Sequence, residues 1–524
     1  MYSKFMKLFL FPFCIITTLS FFLGSSALSI DNSQDVPKND FNIVLITIDA
    51  LRADHLSCYG YERETSPNID RIAEKGIIFK NTIASSSWTA PSMASLFTSL
   101  YPINHGVIHG MRYANNKTIY NQEVFSSELA TLAEILQAYG YTTFGVASNL
   151  HLSEKFGFAK GFNYFKCLPW DPAQSVNKIV YSWEKYIKKS DKFFLWIHYF
   201  DPHHAYHARS PWIEQYTPKA LTRKLNLTSK SSSELIKLIP TFKKDPQALS
   251  NLVALYDSEI NYVDSYLGKL IQKFGLNKNT LLIITADHGE GFLDHSQLGH
   301  GNNLYYETTN IPLIIKLPYN SKKRIVNKYV NLVDIMPTIL HILDINSPEQ
   351  TLGKSVLKKK GPLLWFKKML IRREKPEYSF AELDKGSILK TLITPEWKYI
   401  YDYKKKNEQL YNIKSDLLEL NNLVDKETEQ CNQLKEQLFN WASSAKKYLP
   451  KRRSIQLSPE ERKKLEAMGY LQVTDDIDKD GIPDNDDNCP YVFNPNQKDT
   501  YPPGGNGIGD ACDCEGDFNC DGNV

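Results

Sequence analysis

Cysteine is sparse where a disulfide scaffold would need it. Of eight cysteines in 524 residues, Cys14, Cys58, Cys167 and Cys431 are scattered, and nothing before residue 475 reads as stapled. Apolar runs of membrane-spanning length are missing after residue 23, and a mean hydropathy of −0.38 excludes a polytopic membrane protein. Charge of one sign is also scarce overall, with a formal balance of only +3. What is present is ordinary globular composition, 42% hydrophobic and 23% charged, rich in Tyr (30) and Phe (26). A chain this long buries a sizeable core, so a disordered chain and a mini-protein are both excluded.

The bland charge hides an asymmetry. After Thr474 thirteen acids face two lysines, so the tail carries −11 and the preceding residues +14. The remaining cysteines, Cys489, Cys512, Cys514 and Cys520, crowd that acidic tail. At the other end Lys4 and Lys7 precede an apolar stretch from Leu8 to Leu23, interrupted by Pro12 and followed by Gly24, Ser25, Ser26 and Ala27. This reads as an export signal over residues 1–27, cleaved near Ala27 in preference to an uncleaved anchor, with a periplasmic, cell-surface or extracellular destination.

From Phe41 onward, apolar strand runs alternate with helical periods, which predicts an α/β fold with helices on both faces of a large sheet. Candidate buried strands are 42–48, 142–147, 193–198, 280–286 and 312–316. Leu129, Leu132, Ala133 and Leu136 mark a helix that stops at Gly140. From about residue 380 the pattern alternates as in an antiparallel sheet, followed by a helical period from Glu427 to Lys447. A basic stretch from Gly353 to Lys375, interleaved with aromatic and aliphatic residues, reads as a solvated crossing loop or as a contact for anionic lipid or polyanion.

Asp49 ends the first buried strand, and Asp287 and His288 end a later one. Ligand crevices in open α/β sheets lie at the carboxyl ends of strands, so these side chains are candidates for one cation site. An isolated Asp at such a place is more often a turn former. Between them lies "SSSWTAPSMASLFTSLYP", where Pro91 sits where a first helical residue is favoured and puts Thr89 at a helix N-terminus. There the unpaired N–H groups attract an anion, and a hydroxyl becomes a candidate nucleophile. The plainer alternative is that Thr89 is an N-cap. Histidines gather in "IHYFDPHHAYH" and "LDHSQLGHG", and Asp201 with His203 and His300 is a possible second metal set.

With "NIVLITIDALRADHLSCYGY", "LWIHYFDPHHAY", "TADHGEGF", "GHGNNLYYETTNIPLII" and "NLVDIMPTIL" in order, the chain resembles the sulfatase branch of the alkaline phosphatase superfamily from about Asn42 to Leu471. The resemblance implies a large mixed sheet flanked by helices (41–375), a smaller C-terminal antiparallel sheet with a helix (376–472) and one divalent cation. By position it implies Asp49, Asp287 and His288 as ligands, Thr89 as nucleophile and ligand, and His203 and His300 near the leaving oxygen. Imidazole from His288 favours Mn²⁺ or Zn²⁺, with Ca²⁺ the harder alternative. Two departures bear on the reaction. The family's C/S-x-P-S-R stretch, whose Cys or Ser becomes formylglycine, reads Thr89-Ala90-Pro91-Ser92-Met93, so both the convertible residue and the Arg are replaced. Ala50 stands for the second acid of the usual pair, and His288 for the usual Asn.

These replacements favour cleavage or transfer of a phosphoester, with sulfate-ester hydrolysis as the alternative. An inactive protein that only binds polyanions is the third reading. The partner is then an anionic ester, lipid- or polysaccharide-linked, and not nucleic acid. In the tail, Asp476, Asp478, Asp480, Asp484 and Asp487 surround Gly481, an oxygen-rich spacing suited to Ca²⁺. Residues 475–513 resemble a thrombospondin type 3 calcium repeat, which implies a Cys489–Cys512 link and surface attachment. Residues 514–524 resemble the opening of an EF-hand or dockerin loop.

Overall fold

The computed structural model describes residues 41–108, 128–217, 232–276, 278–319, 322–358 and 378–445 almost without interruption, with short pieces elsewhere. In chain order its main elements are β1 (Asn42–Ile48), α1 (Pro67–Ala73), β2 (Ile77–Ile83), α2 (Thr89–Thr98), α3 (Leu132–Ala138), β3 (Thr142–Ala147), β4 (Tyr164–Cys167) and α4 (Ala173–Ser182). There follow β5 (Phe193–Tyr199), α5 (Pro246–Phe274), β6 (Thr280–Ala286), β7 (Asn310–Lys316), β8 (Arg324–Asn331) and α6 (Ile335–Ile342). The C-terminal part adds β9 (Ser379–Lys385), β10 (Ser387–Ile393), β11 (Lys398–Asp402), β12 (Asn407–Tyr411) and α7 (Thr428–Ser443).

Eight strands form one mixed sheet in the order β8-β2-β7-β6-β1-β5-β3-β4. All its pairings are parallel except those of β7 with its neighbours β2 and β6. Strands β6 and β7 are buried at every position, and β1 at all but Asn42, as continuous apolar runs require when helices cover both faces. The five predicted strands are all present, β5 and β7 running one and two residues longer. Strands β2, β4 and β8 extend the sheet beyond the predicted set. In β8 the pattern is broken by exposed and half-buried positions, which weakens its signal as a strand.

Local chemistry sets several boundaries. Thr131 and Glu134 form a reciprocal capping box that opens α3 at Leu132. Asp245 caps the 29-residue α5, which ends on left-handed Gly275. The second sheet, β9 to β12, is an antiparallel meander, and α7 covers it. Phe380, Leu392, Tyr399, Leu410, Leu434 and Leu438 share its core with Tyr101 and Val333. Hydrogen bonds tie it to the large sheet: Glu382 N–H donates to Ser85 O at 2.9 Å, and Asn331 Nδ2 donates to Phe380 O at 2.9 Å.

Residues 1–40 and nearly all of 457–524 lie outside the described set. The export signal, the five tail aspartates Asp476, Asp478, Asp480, Asp484 and Asp487, and Cys489 and Cys512 are therefore not described; nor is most of the basic stretch. Among the described residues no helix is long and apolar enough to cross a membrane, and Cys58, Cys167 and Cys431 are free thiols.

Candidate active site

Parallel pairing brings the first two candidate ligands together. Ile48 of β1 is in register with Ala286 of β6, so the next residues, Asp49 and Asp287, leave adjacent strand ends side by side. Both are fully buried. Ala50 takes a left-handed conformation (φ 54°), and its N–H donates to Asp287 Oδ1 at 3.1 Å. The Tyr256 hydroxyl on α5 clamps this turn, donating to Ala50 O at 2.7 Å and accepting from Arg52 N–H at 2.9 Å. Burial of such strain and hydrogen bonding in one turn fixes the direction of the Asp49 carboxyl.

Each aspartate uses one oxygen and leaves the other bare. Asp49 Oδ2 accepts from Asn149 Nδ2 at 2.7 Å and faces His198 Nε2 at 3.2 Å, whereas Oδ1 has no hydrogen-bond partner. Asp287 Oδ1 accepts from the Ala50 and His288 N–H groups, whereas Oδ2 has none. His288 Nδ1 lies 2.8 Å from Gly289 O; a carbonyl only accepts, so Nδ1 carries the proton and Nε2 is a lone pair. That Nε2 is 3.4 Å from Asp49 Oδ1 and 3.5 Å from Asp287 Oδ2. Two orphaned buried carboxylate oxygens and one bare imidazole nitrogen converging in this way fit a divalent cation.

His198 also groups with the two aspartates, but its chemistry differs. Thr47 Oγ1 accepts from Trp196 Nε1 at 3.0 Å and lies 2.9 Å from His198 Nδ1, leaving His198 Nε2–H to donate to Asp49. It is therefore an outer donor that orients a carboxylate. Burial raises the Asp49 pKa, but the rings of His203, His198 and His288 outweigh it and hold this carboxyl well below the usual range. Asp287 is pushed up to about 6 by burial and by the charge on Asp49. Such opposed shifts in a close carboxylate pair are the usual result of like charges sharing a dry site.

Thr89 opens α2, with Trp88 at the cap position and no side-chain capping bond; Pro91 is the third helical residue, two later than the sequence pattern implied. The Thr89 hydroxyl points inward instead, 3.3 Å from His288 Nε2 and 3.3 Å from Asn149 Nδ2. His300 packs on His288 with ring centroids 4.2 Å apart, and on His203 at 4.7 Å. Its Nδ1 donates to Glu290 Oε1 at 2.9 Å, while Tyr206 donates to Glu290 Oε2 at 3.1 Å. His203 Nδ1 is held by His204 O. Burial lowers both rings, His300 to about 4, so each is a neutral imidazole.

The structure thus gathers Asp49, Thr89, Asp287, His288, His203 and His300 in one buried cluster. His203, His204 and His300 form a second close group of nitrogen donors. Asp201 does not join it: it pairs with Arg209 at 2.9 Å and accepts from Ala173 N–H at 2.8 Å. Sequence reasoning missed Asn149 and Glu290. Asn149 lies two residues beyond β3, a predicted strand, so the strand-end rule that found Asp49 also reaches it.

The sulfatase family profile matches residues 41–345, more than half of the chain. The chain belongs to the sulfatase family. A second profile, the C-terminal part of N-sulphoglucosamine sulphohydrolase, matches residues 299–444. Among curated relatives, the uncharacterized sulfatase YidJ of Escherichia coli is 23% identical over 73% of this chain and 83% of its own. Human N-sulphoglucosamine sulphohydrolase is 26% identical over 55% and 58%. The fold is similar to a phosphonate monoester hydrolase of Agrobacterium radiobacter (TM-score 0.58, 18% identity, 76% and 95% coverage). It is also similar to a yidJ-type sulfatase of Bacteroides fragilis (TM-score 0.60, 19%, 77% and 95%). The chain is accordingly a sulfatase-family hydrolase for sulfate or phosphate esters, and the family binds a divalent metal.

Proposed function

We propose that this hydrolase is an exported phosphoesterase, acting on a phosphodiester or phosphonate-type ester through Thr89. One observation carries the reading: a buried threonine hydroxyl at a helix N-terminus, free of any capping role, beside two bare aspartate oxygens and a bare imidazole nitrogen. Asp49, Asp287 and His288, with Thr89, would hold the cation, and imidazole in the set favours Mn²⁺ or Zn²⁺ over Ca²⁺. When bound, such an ion lowers the pKa of the hydroxyl and neutralises charge on the ester oxygens.

The chain's own residues supply the rest. The Asn149 amide donates to Thr89 Oγ1 and fixes its remaining lone pair for in-line attack. As the Thr89 ester forms, the leaving oxygen needs a proton and the hydroxyl loses one. The neutral His203 and His300 rings, each anchored through Nδ1, can relay it. Glu290, kept ionised by His300 and His204 despite burial, stabilises the imidazolium that His300 becomes. Once it has passed that proton to the leaving oxygen, the same ring takes one from the water or acceptor alcohol that opens the Thr89 ester and returns it to Thr89 Oγ1. Thr89 offers no carbonyl hydrate to expel sulfate, and Met93 stands where the motif Arg would be, so phosphoryl turnover is the better match.

Sulfate-ester hydrolysis is the second reading, supported by relatives named as sulfatases. Parallel kinetics with matched aryl phosphate monoesters, phosphodiesters, phosphonate monoesters and sulfates test the choice; a sulfate that is best by a wide margin overturns the first. For the tail we propose a Ca²⁺-binding repeat at Asp476, Asp478, Asp480, Asp484 and Asp487, closed by Cys489 and Cys512, serving cell-surface attachment.

A further inference from the structure

The small C-terminal sheet also reaches the candidate active site. Its strand β9 is anchored to the segment that leads into Thr89 through the Glu382 to Ser85 and Asn331 to Phe380 hydrogen bonds. At the end of β9 the Lys385 ammonium stands 5.2 Å from the centre of the Trp88 ring, the residue before Thr89. On its other side lies Gly301, next to His300. A Cβ on Gly301, whose φ is 74°, would sit 3.5 Å from Lys385 Nζ and 3.6 Å from Trp88 Cβ. Lys385 is therefore wedged between the two segments that carry Thr89 and His300.

Its field is felt inside the site: after burial, Lys385 is the next cause of the low basicity of His151, whose ring meets Trp88 edge-on at 5.5 Å. The ammonium itself is pushed down to about 8 by burial. A cation held in a dry place next to a helix N-terminus acts strongly on a nearby anion. Arg52, also close to this cluster, pairs with Asp54 at 2.8 Å and Asp294 at 2.9 Å. The anionic oxygens of an ester at Thr89, which gain negative charge in the transition state, need such a partner, and Met93 supplies none.

We propose that Lys385 is the cationic contact for the anionic oxygens of the ester bound at Thr89, so that the C-terminal sheet completes the active site. The proposal rests on the ester-binding reading above but not on the identity of the nucleophile. A lysine that merely packs on Trp88 would be replaced by Met without loss of anion affinity. The test is calorimetric titration of the full-length, metal-replete protein with inorganic phosphate, and separately with sulfate, using the parent, Lys385→Met, Lys385→Gln and Lys385→Arg. Phosphate binding should weaken at least tenfold in Lys385→Met and Lys385→Gln and stay within about threefold of the parent in Lys385→Arg. Either neutral variant, folded and binding phosphate as the parent does, overturns the proposal. The readout involves no turnover, so it stands apart from the fate of Thr89.

Discussion

Replacing Thr89 by Ala separates chemistry from architecture. The hydroxyl makes two long contacts, each 3.3 Å, to His288 and Asn149, and no capping bond. Removing them together with one buried methyl costs roughly 1–2 kcal/mol. In a protein of this size that is a drop in Tm of less than about 4 °C. Loss of a covalent nucleophile, by contrast, lowers kcat/KM by about 10⁴-fold or more. The assay is turnover of the best aryl ester by purified Thr89→Ala, with Tm and metal content measured on the same sample. Thr89→Ser keeps a hydroxyl and should recover measurable activity, and quenched parent enzyme should show a phosphoryl group on the Thr89 peptide by mass spectrometry. A folded, metal-loaded Thr89→Ala enzyme retaining more than about a tenth of parental kcat/KM would refute the nucleophile assignment.

Glu290→Gln keeps the shape around His300 but removes the charge that stabilises its imidazolium, so kcat should fall about 10–100-fold with KM little changed; parental kcat would detach Glu290 from the chemistry. His295 donates toward Glu307 at 3.0 Å and Glu419 O at 3.0 Å; burial lowers its pKa, but these partners outweigh burial and raise it. Because the folded state then holds this proton more tightly, the pair stabilises below about pH 6.5 and its contribution is lost as pH rises through the raised value. Tm measured from pH 6 to 8.5 should therefore fall less in His295→Gln than in the parent, and parallel curves would remove the link. Truncation after Thr474 should leave kcat unchanged and retain one catalytic Mn²⁺ or Zn²⁺ by metal analysis. Two retained equivalents, or activity only with Ca²⁺, would contradict the single-ion site.

Five strands and three residues of the buried cluster were legible because one rule served both: a buried apolar run reads as a strand, and its carboxyl end is where ligands gather. Asp49, Asp287 and His288 each follow such a run directly. Strand β8 was not legible, since Arg324, Ile325, Asn327 and Lys328 interrupt its burial at a sheet edge. Pro91 misled by position: it favours the first helical position generally, and here it takes the third, so the helix begins at Thr89 itself.

Residues that act by hydrogen bond or charge from a distance follow no local spacing. Glu290 is three residues beyond Asp287, yet its role depends on His300 folding back across the β6–β7 connection to meet it at 2.9 Å. Asn149 is tied to Asp49 across a hundred residues of sequence, and only the neighbouring places of β3, β5 and β1 in the sheet make that contact short. Lys385 is further still, on a strand whose alternation speaks only of a half-buried sheet. What makes it a candidate for chemistry is the closeness of Trp88 on one side and Gly301 on the other. A Cβ on Gly301 would make only ordinary van der Waals contact with Lys385 and Trp88, but its φ of 74° is one that side chains rarely adopt, so the turn that brings this ammonium beside His300 favours glycine. The cation proposed for the site and the turn it packs against therefore form one structural feature, split between two parts of the chain some eighty residues apart.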